Sequence, residues 1–177
     1  MITGPSGVGK GTLIKALLER IPGLELAVSA TTRSPREGER NGVDYHFLSE
    51  ADFDRRVAAG EFVEHAVYAG NRYGTLRTEL TRPARGIVLE IDLQGARQVR
   101  ETLPEAVRIF IEPPSFEVLE ERLRRRAADS PEQIERRLAA ARAELEAASE
   151  FDHRIVNDEL KRASQELTEL VATMSSP

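Results

Sequence analysis

Gly4-Pro5-Ser6-Gly7-Val8-Gly9-Lys10-Gly11-Thr12 follows only three residues and reads G-x-x-x-x-G-K. The pattern is that of a phosphate-binding loop. Glycines and a small serine let successive backbone N–H groups turn inward around a di- or triphosphate. Lys10 supplies a point positive charge, and the helix that follows aims its N-terminus at the same anion. Leu13, Ala16, Leu17 and Arg20 recur at helical spacing, and Ile21-Pro22-Gly23 stops the helix. Two details depart from the strict pattern: Gly11 stands where Ser or Thr would hold Mg2+, and Met1-Ile2-Thr3 leaves a very short strand ahead of the loop.

At 177 residues, with 40% hydrophobic and 31% charged residues, the chain is long and apolar enough for one domain with a real core. A net charge of −5 argues against general nucleic-acid binding, so any phosphate site must be local. Without cysteine there is no disulfide, thiolate nucleophile or zinc ribbon, and His46, His65 and His153 are too scattered for a metal cluster. No segment has the length of a membrane span or the pattern of a signal peptide, so the cytoplasm is the default location.

Along the chain, Leu24 to Ser29 alternates as a strand, and residues 30–42, rich in Gly, Pro and charge, read as a long functional loop. Val43 to Leu48 returns to alternation, and Ser49 caps a short helix that carries Phe53 and Val57 and ends at Gly60. Glu61 to Tyr68 alternates again. Ile87 to Ile91 is a continuous apolar run ending at Asp92, as expected of a parallel strand buried on both faces. A helix over 94–103, a strand over 107–111, a helix after Pro113-Pro114-Ser115, a longer one from Ser130, a segment at Ile155-Val156-Asn157 and a closing helix over 159–173 complete a parallel α/β pattern. Ligands in such sheets bind at the C-terminal strand ends.

A phosphate loop alone leaves a GTPase, an ATPase or a kinase open. A second anion site would discriminate, and Arg33, Arg36, Tyr45 and Tyr73 supply guanidinium forks and neutral phenol donors from one region. A lone surface arginine or strand tyrosine usually has a blander role; the combination is what points to phosphate. Glu90 and Asp92, two apart on a strand, share a face where Mg2+ could sit through water. Glu64 alone reads as an exposed strand residue. The run Arg122 to Ser130, with Arg136 and Arg137 beyond it, reads either as a solvated face paired with Glu117, Glu120 and Glu121 or as a lid over a transferring phosphoryl.

Taken together, the loop, Ser29-Ala30-Thr31-Thr32-Arg33-Ser34-Pro35-Arg36, Asn41-Gly42-Val43-Asp44-Tyr45-His46-Phe47, Gly70-Asn71-Arg72-Tyr73-Gly74-Thr75, Leu89-Glu90-Ile91-Asp92-Leu93-Gln94-Gly95 and Ile155-Val156-Asn157-Asp158 resemble the guanylate kinase family over essentially the whole chain. The resemblance implies an α/β fold: a P-loop NTPase-type parallel sheet with flanking helices, a small β-rich GMP-binding insert and a short helical lid. It implies one domain over 1–177, with core 1–30, 76–121 and 138–177, insert 31–75 and lid 122–137. ATP-dependent phosphorylation of GMP, and of dGMP, would be the activity, with Mg2+ held by nucleotide phosphates and water near Glu90 or Asp92. ATP would be bound by Gly4, Pro5, Ser6, Gly7, Val8, Gly9, Lys10, Gly11, Thr12, Arg122 and Asn157. Arg33, Arg36, Tyr45 and Tyr73 would grip the GMP phosphate, while Ser29, Glu64, Thr75 and Asp92 would line the guanine pocket. Lys10, Arg33, Arg126 and Arg137 would carry catalysis. No nucleic acid or membrane partner is implied.

Three rivals remain on the sequence: a ribose bisphosphate phosphokinase, a phosphopeptide-binding scaffold domain of the same family, and a regulatory GTPase. Glu64 and the T-T-R-x-P-R stretch count against the first, and the retained Lys10, Arg126 and Arg137 against the second. The third lacks an N-K-x-D stretch.

Overall fold

The structure, a computed structural model, describes residues 1–68, 70–125 and 130–174. Its central strand, β1 (Ile2–Thr3), is two residues long and is bonded on both sides. It pairs in parallel with β8 (Ile109–Glu112), which pairs in parallel with β9 (His153–Val156). On its other side the Ile2 N–H donates to the Leu89 carbonyl at 2.8 Å, and Ile91 returns a bond to the Ile2 carbonyl at 3.3 Å. Residues 89–91 continue β7 (Gly86–Val88), which pairs in parallel with β2 (Leu24–Leu26). The core is therefore one parallel sheet in the order β2, β7, β1, β8, β9. The expected short first strand is met in length, and it occupies the sheet centre because both neighbours pair with it.

Side chains alternate across this sheet and fill both faces. One cluster joins Ile2, Ile109 and Ile111 to Leu13, Ile14 and Leu17 of α1 (Lys10–Arg20), and to α4 (Phe116–Arg125), α5 (Pro131–Glu146) and α6 (Leu160–Met174). The other packs Leu89 and Ile91 on Ala96 and Val99 of α3 (Leu93–Thr102). No helix among the described residues is long and apolar enough to cross a membrane.

The stretch read as one strand from Leu24 to Ser29 is divided between two sheets. β2 ends at Leu26, and β3 (Ser29–Thr31) belongs to a second sheet of order β4-β3-β6-β5. The break has a physical cause at Val28. Its N–H donates to the Glu79 carboxylate at 2.9 Å instead of to a strand. Glu79 lies in the helical turn Arg77–Thr81 and also receives His46 Nε2 at 2.9 Å and Arg82 at 2.9 Å. One buried carboxylate thus ties the crossing strand, the insert and the returning chain.

The alternating stretch 43–48 keeps only β4 (His46–Phe47) as strand. α2 (Glu50–Ala58) starts where Ser49 accepts the Asp52 N–H at 3.1 Å. β5 (Phe62–Tyr68) pairs antiparallel with β6 (Asn71–Leu76), an element that sequence pattern did not single out because Gly74 interrupts its alternation. The insert has its own small core: Phe53 is fully buried and stacks on Phe62 with ring centroids 4.5 Å apart. The Arg72 guanidinium covers the Phe53 ring at 4.2 Å. Phe53→Ala is therefore expected to lower the unfolding free energy by about 3–5 kcal/mol, and Val67→Ala at an exposed position of the same sheet by under about 1 kcal/mol, both read by urea denaturation. Equal losses would contradict this core.

Candidate active site

The C-terminal ends of the central strands and the inner face of the insert enclose a cavity of about 460 Å3. Gly4, Ser6, Lys10, Ser29, Tyr45, Glu64, Tyr73, Glu90 and Asp92 all line it, although they come from both sheets.

At one end is the loop. Gly9 has φ 99° and an added Cβ would lie 2.6 Å from Asn157 Nδ2, so both the turn and the close approach require glycine. Val8 is fully buried and its carbonyl accepts Asn157 Nδ2 at 2.7 Å. Arg122 reaches the same carbonyl at 3.4 Å and the Asn157 carbonyl at 3.0 Å. In this structure Asn157 and Arg122 brace the loop from beneath. Lys10 Nζ donates to Gly4 and Pro5 carbonyls at 2.5 and 3.3 Å. Gly11 and Thr12 are exposed on the first turn of α1. Arg137, from α5, approaches Ser6 Oγ at 3.4 Å. Arg126 lies outside the described residues.

At the other end, Glu64 is 5% exposed and accepts the Thr75 hydroxyl at 2.7 Å. Burial pushes its carboxyl up to about 7; the Thr75 bond opposes the rise, and the charge of Asp92 adds to it. An alanine Cβ at Gly95 would lie 2.5 Å from Glu64 Oε2, so the first turn of α3 can approach this carboxylate only as glycine. Asp92 caps that helix by accepting the Gly95 N–H at 2.8 Å.

The two predicted arginines do not line the cavity: Arg36 is exposed, and Arg33 borders it through a lining tyrosine. Arg33 lies over the Tyr45 ring at 5.2 Å, and the rings of Tyr45 and Tyr73 are 6.2 Å apart. Burial pushes the Tyr45 phenol up, which keeps it a donor. Arg33 is paired with Glu39 at 2.9 Å, and the Arg36 backbone N–H donates to the same carboxylate at 2.7 Å. Sequence reasoning passed over Glu39, although it lies three residues beyond Arg36. It also passed over Glu144, which lines the cavity, has an oxygen buried without a hydrogen bond, and is pushed up to about 7 by burial. Arg137, Ala141 and Glu144 recur at helical spacing on one face of α5, a signal available in the sequence.

The guanylate kinase family model matches residues 1–174. The chain belongs to the guanylate kinase family. A guanylate kinase of a Nostoc species is 54% identical over 168 residues, 93% of this chain and 84% of the relative. One from Frankia casuarinae is 52% identical over 174 residues, 97% and 95% of the two chains. The crystal structure of guanylate kinase from Anaplasma phagocytophilum superposes with a TM-score of 0.78 at 32% identity, covering 100% of this chain and 86% of its own. The P-loop sheet with its β-rich insert is thus the architecture that this guanylate kinase shares.

Because Glu64 ionises near 7 in the fold, against an ordinary 4.5, its burial favours the native state fully below about pH 4.5, and that contribution is lost as pH rises through about 7. Relative to wild type, Glu64→Gln should gain stability between about pH 5 and pH 8, by up to about 3 kcal/mol, in paired denaturant titrations. A pH-independent difference would contradict a buried, raised carboxyl.

Proposed function

We propose that the chain transfers the γ-phosphoryl group of ATP to GMP, and to dGMP, with Mg2+, in the cytoplasm. The observation that carries this reading is the presence of a buried carboxylate, Glu64, and a phosphate loop in one cavity.

In this reading the backbone of Gly4, Pro5, Ser6, Gly7, Val8 and Gly9 wraps the ATP phosphates, with Lys10 on the β- and γ-phosphates and Gly11 and Thr12 at the helix N-terminus. Arg122 and Asn157 secure the loop on the adenine side. Arg33, Arg36, Tyr45 and Tyr73 bind the GMP phosphate, Arg33 exchanging Glu39 for it. Ser29, Thr75 and Asp92 border the base, and Glu64 reads it. Guanine offers adjacent N1–H and N2–H2 donors that one carboxylate accepts together. Adenine presents an acceptor at N1 and would leave the buried charge unpaired. The GMP phosphate is already an anionic nucleophile, so the chain's task is to hold it in line with the γ-phosphorus, exclude water and stabilise the spreading charge. Arg137, close to Ser6, lies within reach of that charge, and Arg126 of the segment 122–137 is assigned the same task. Residues 31–75 and 122–137 are taken as the parts that close on the 1–30, 76–121 and 138–177 core.

When bound, Mg2+ would neutralise negative charge on the ATP phosphates. Among the described residues no group of three or more His, Cys, Asp or Glu is arranged to hold a metal ion. The cavity's carboxylates, Glu90 and Asp92 among them, are hard oxygen donors, and the orphan oxygen of Glu144 wants a donor. That set fits a hydrated ion held by phosphates and water.

Coupled ADP release with Mg-ATP is expected for GMP and dGMP and not for AMP, CMP, UMP or ribose 1,5-bisphosphate; base-indifferent turnover would overturn the reading. Lys10→Ala should lower kcat by about 100- to 1,000-fold with an unchanged melting temperature. Glu64→Ala should raise the KM for GMP by tenfold or more, about 1.4 kcal/mol, and leave that for ATP. An equal rise in both would remove Glu64 from the base pocket.

A further inference from the structure

A cavity that takes two phosphorylated nucleotides carries five carboxylates, Asp44, Glu64, Glu90, Asp92 and Glu144, and Lys10 is the one cation lining it among the described residues. Such a charge balance repels phosphate unless each carboxylate has its own partner. Thr75 binds Glu64, the Gly95 N–H binds Asp92, the Arg40 N–H binds Asp44, and Glu90 is exposed. Glu144 is different: its Oε2 is buried and makes no hydrogen bond. Buried polar atoms are nearly always satisfied, so an unpartnered oxygen in a ligand cavity calls for a donor that water or the ligand brings.

The placement says what the partner is. Glu144 lies seven residues beyond Arg137 on α5, and Arg137 touches Ser6 of the loop. That face of the helix therefore overlooks the loop, with the carboxylate toward Lys10 and Asp92, whose charges it feels. Lys10 donates to the Gly4 and Pro5 carbonyls and, by the reading above, turns to the phosphates when they enter. A second cation is then needed between Glu144 and the phosphate oxygens. We propose that Glu144 is a positioning residue of the transfer centre, accepting through Oε2 a hydrogen bond from water coordinated to the divalent cation that accompanies the ATP phosphates. This rests on the Mg2+-dependent reading and adds Glu144 to it.

The test uses the full chain, ADP, and Mn2+ as an observable substitute for Mg2+. Glu144→Gln should weaken Mn2+ binding to the protein–ADP complex, measured by electron paramagnetic resonance, by about tenfold or more. Calorimetry in EDTA should show metal-free ADP binding unchanged or tighter, because a charge opposing the phosphates has gone. A residue that only held the fold would weaken both together. Glu144→Asp, which keeps the charge and withdraws the oxygen, should fall between, and thermal melts report whether each variant is folded. Unchanged Mn2+ affinity in Glu144→Gln, or equal weakening with and without metal, overturns the proposal. Failure of the wild-type protein to form a ternary Mn2+ complex overturns the divalent-cation reading itself, and the proposal with it.

Discussion

The carboxylate of Glu64 lies where the insert meets the core, and the arrangement around it is what makes two sheets into one site. β5 is the edge strand of the insert, and an edge must find partners for its free backbone groups. α3 provides them. The Gln98 side chain accepts the His65 N–H at 3.0 Å and donates to the His65 carbonyl at 2.7 Å, imitating a neighbouring strand. Thr102 donates to the Val63 carbonyl at 3.2 Å. With the edge fixed, Glu64 is pressed between Thr75 and the glycine at the start of α3, and loses its water. Its charge is then costly in the empty protein and is best relieved by a ligand with two adjacent N–H donors.

The chain as a whole is acidic, yet the loop end of the cavity is an anion site. Local construction reconciles the two. Backbone N–H groups, the α1 N-terminus and Lys10 act over short distances, where net charge matters little. Arg122 and Asn157 keep the loop in shape by binding the Val8 carbonyl from below. Glu39 holds Arg33 at the rim with a carboxylate that resembles the phosphate it would receive.

What was legible in the sequence was mostly local. The loop and its helix, the Ser49 cap, and the start of the long helix at Ser130 all depend on residues within a turn or two, and all are found in the structure. The parting of β2 from β3 was not legible, because it depends on Glu79 reaching Val28 across 51 positions of sequence. β6 was hidden by Gly74, which lies within 2.8 Å of the Phe62 ring as measured from an added Cβ. Glu64 read as a surface residue on pattern alone; only the packing of α3 buries it. The spacing of Glu144 with Arg137 could be read in the sequence, but the burial that isolates one of its oxygens is a tertiary fact.

The central claim is that the Glu64 carboxyl, substantially protonated near pH 7 in the empty protein, ionises fully to receive guanine. Carbon-13 NMR of its carboxyl, followed against pH with and without GMP, tests this directly. The account predicts titration near 7 in the free protein, as its burial implies, and a fall of a unit or more with GMP, about 1.4 kcal/mol or more, while AMP leaves it in place. A titration that GMP does not move, or that AMP moves equally, would contradict it.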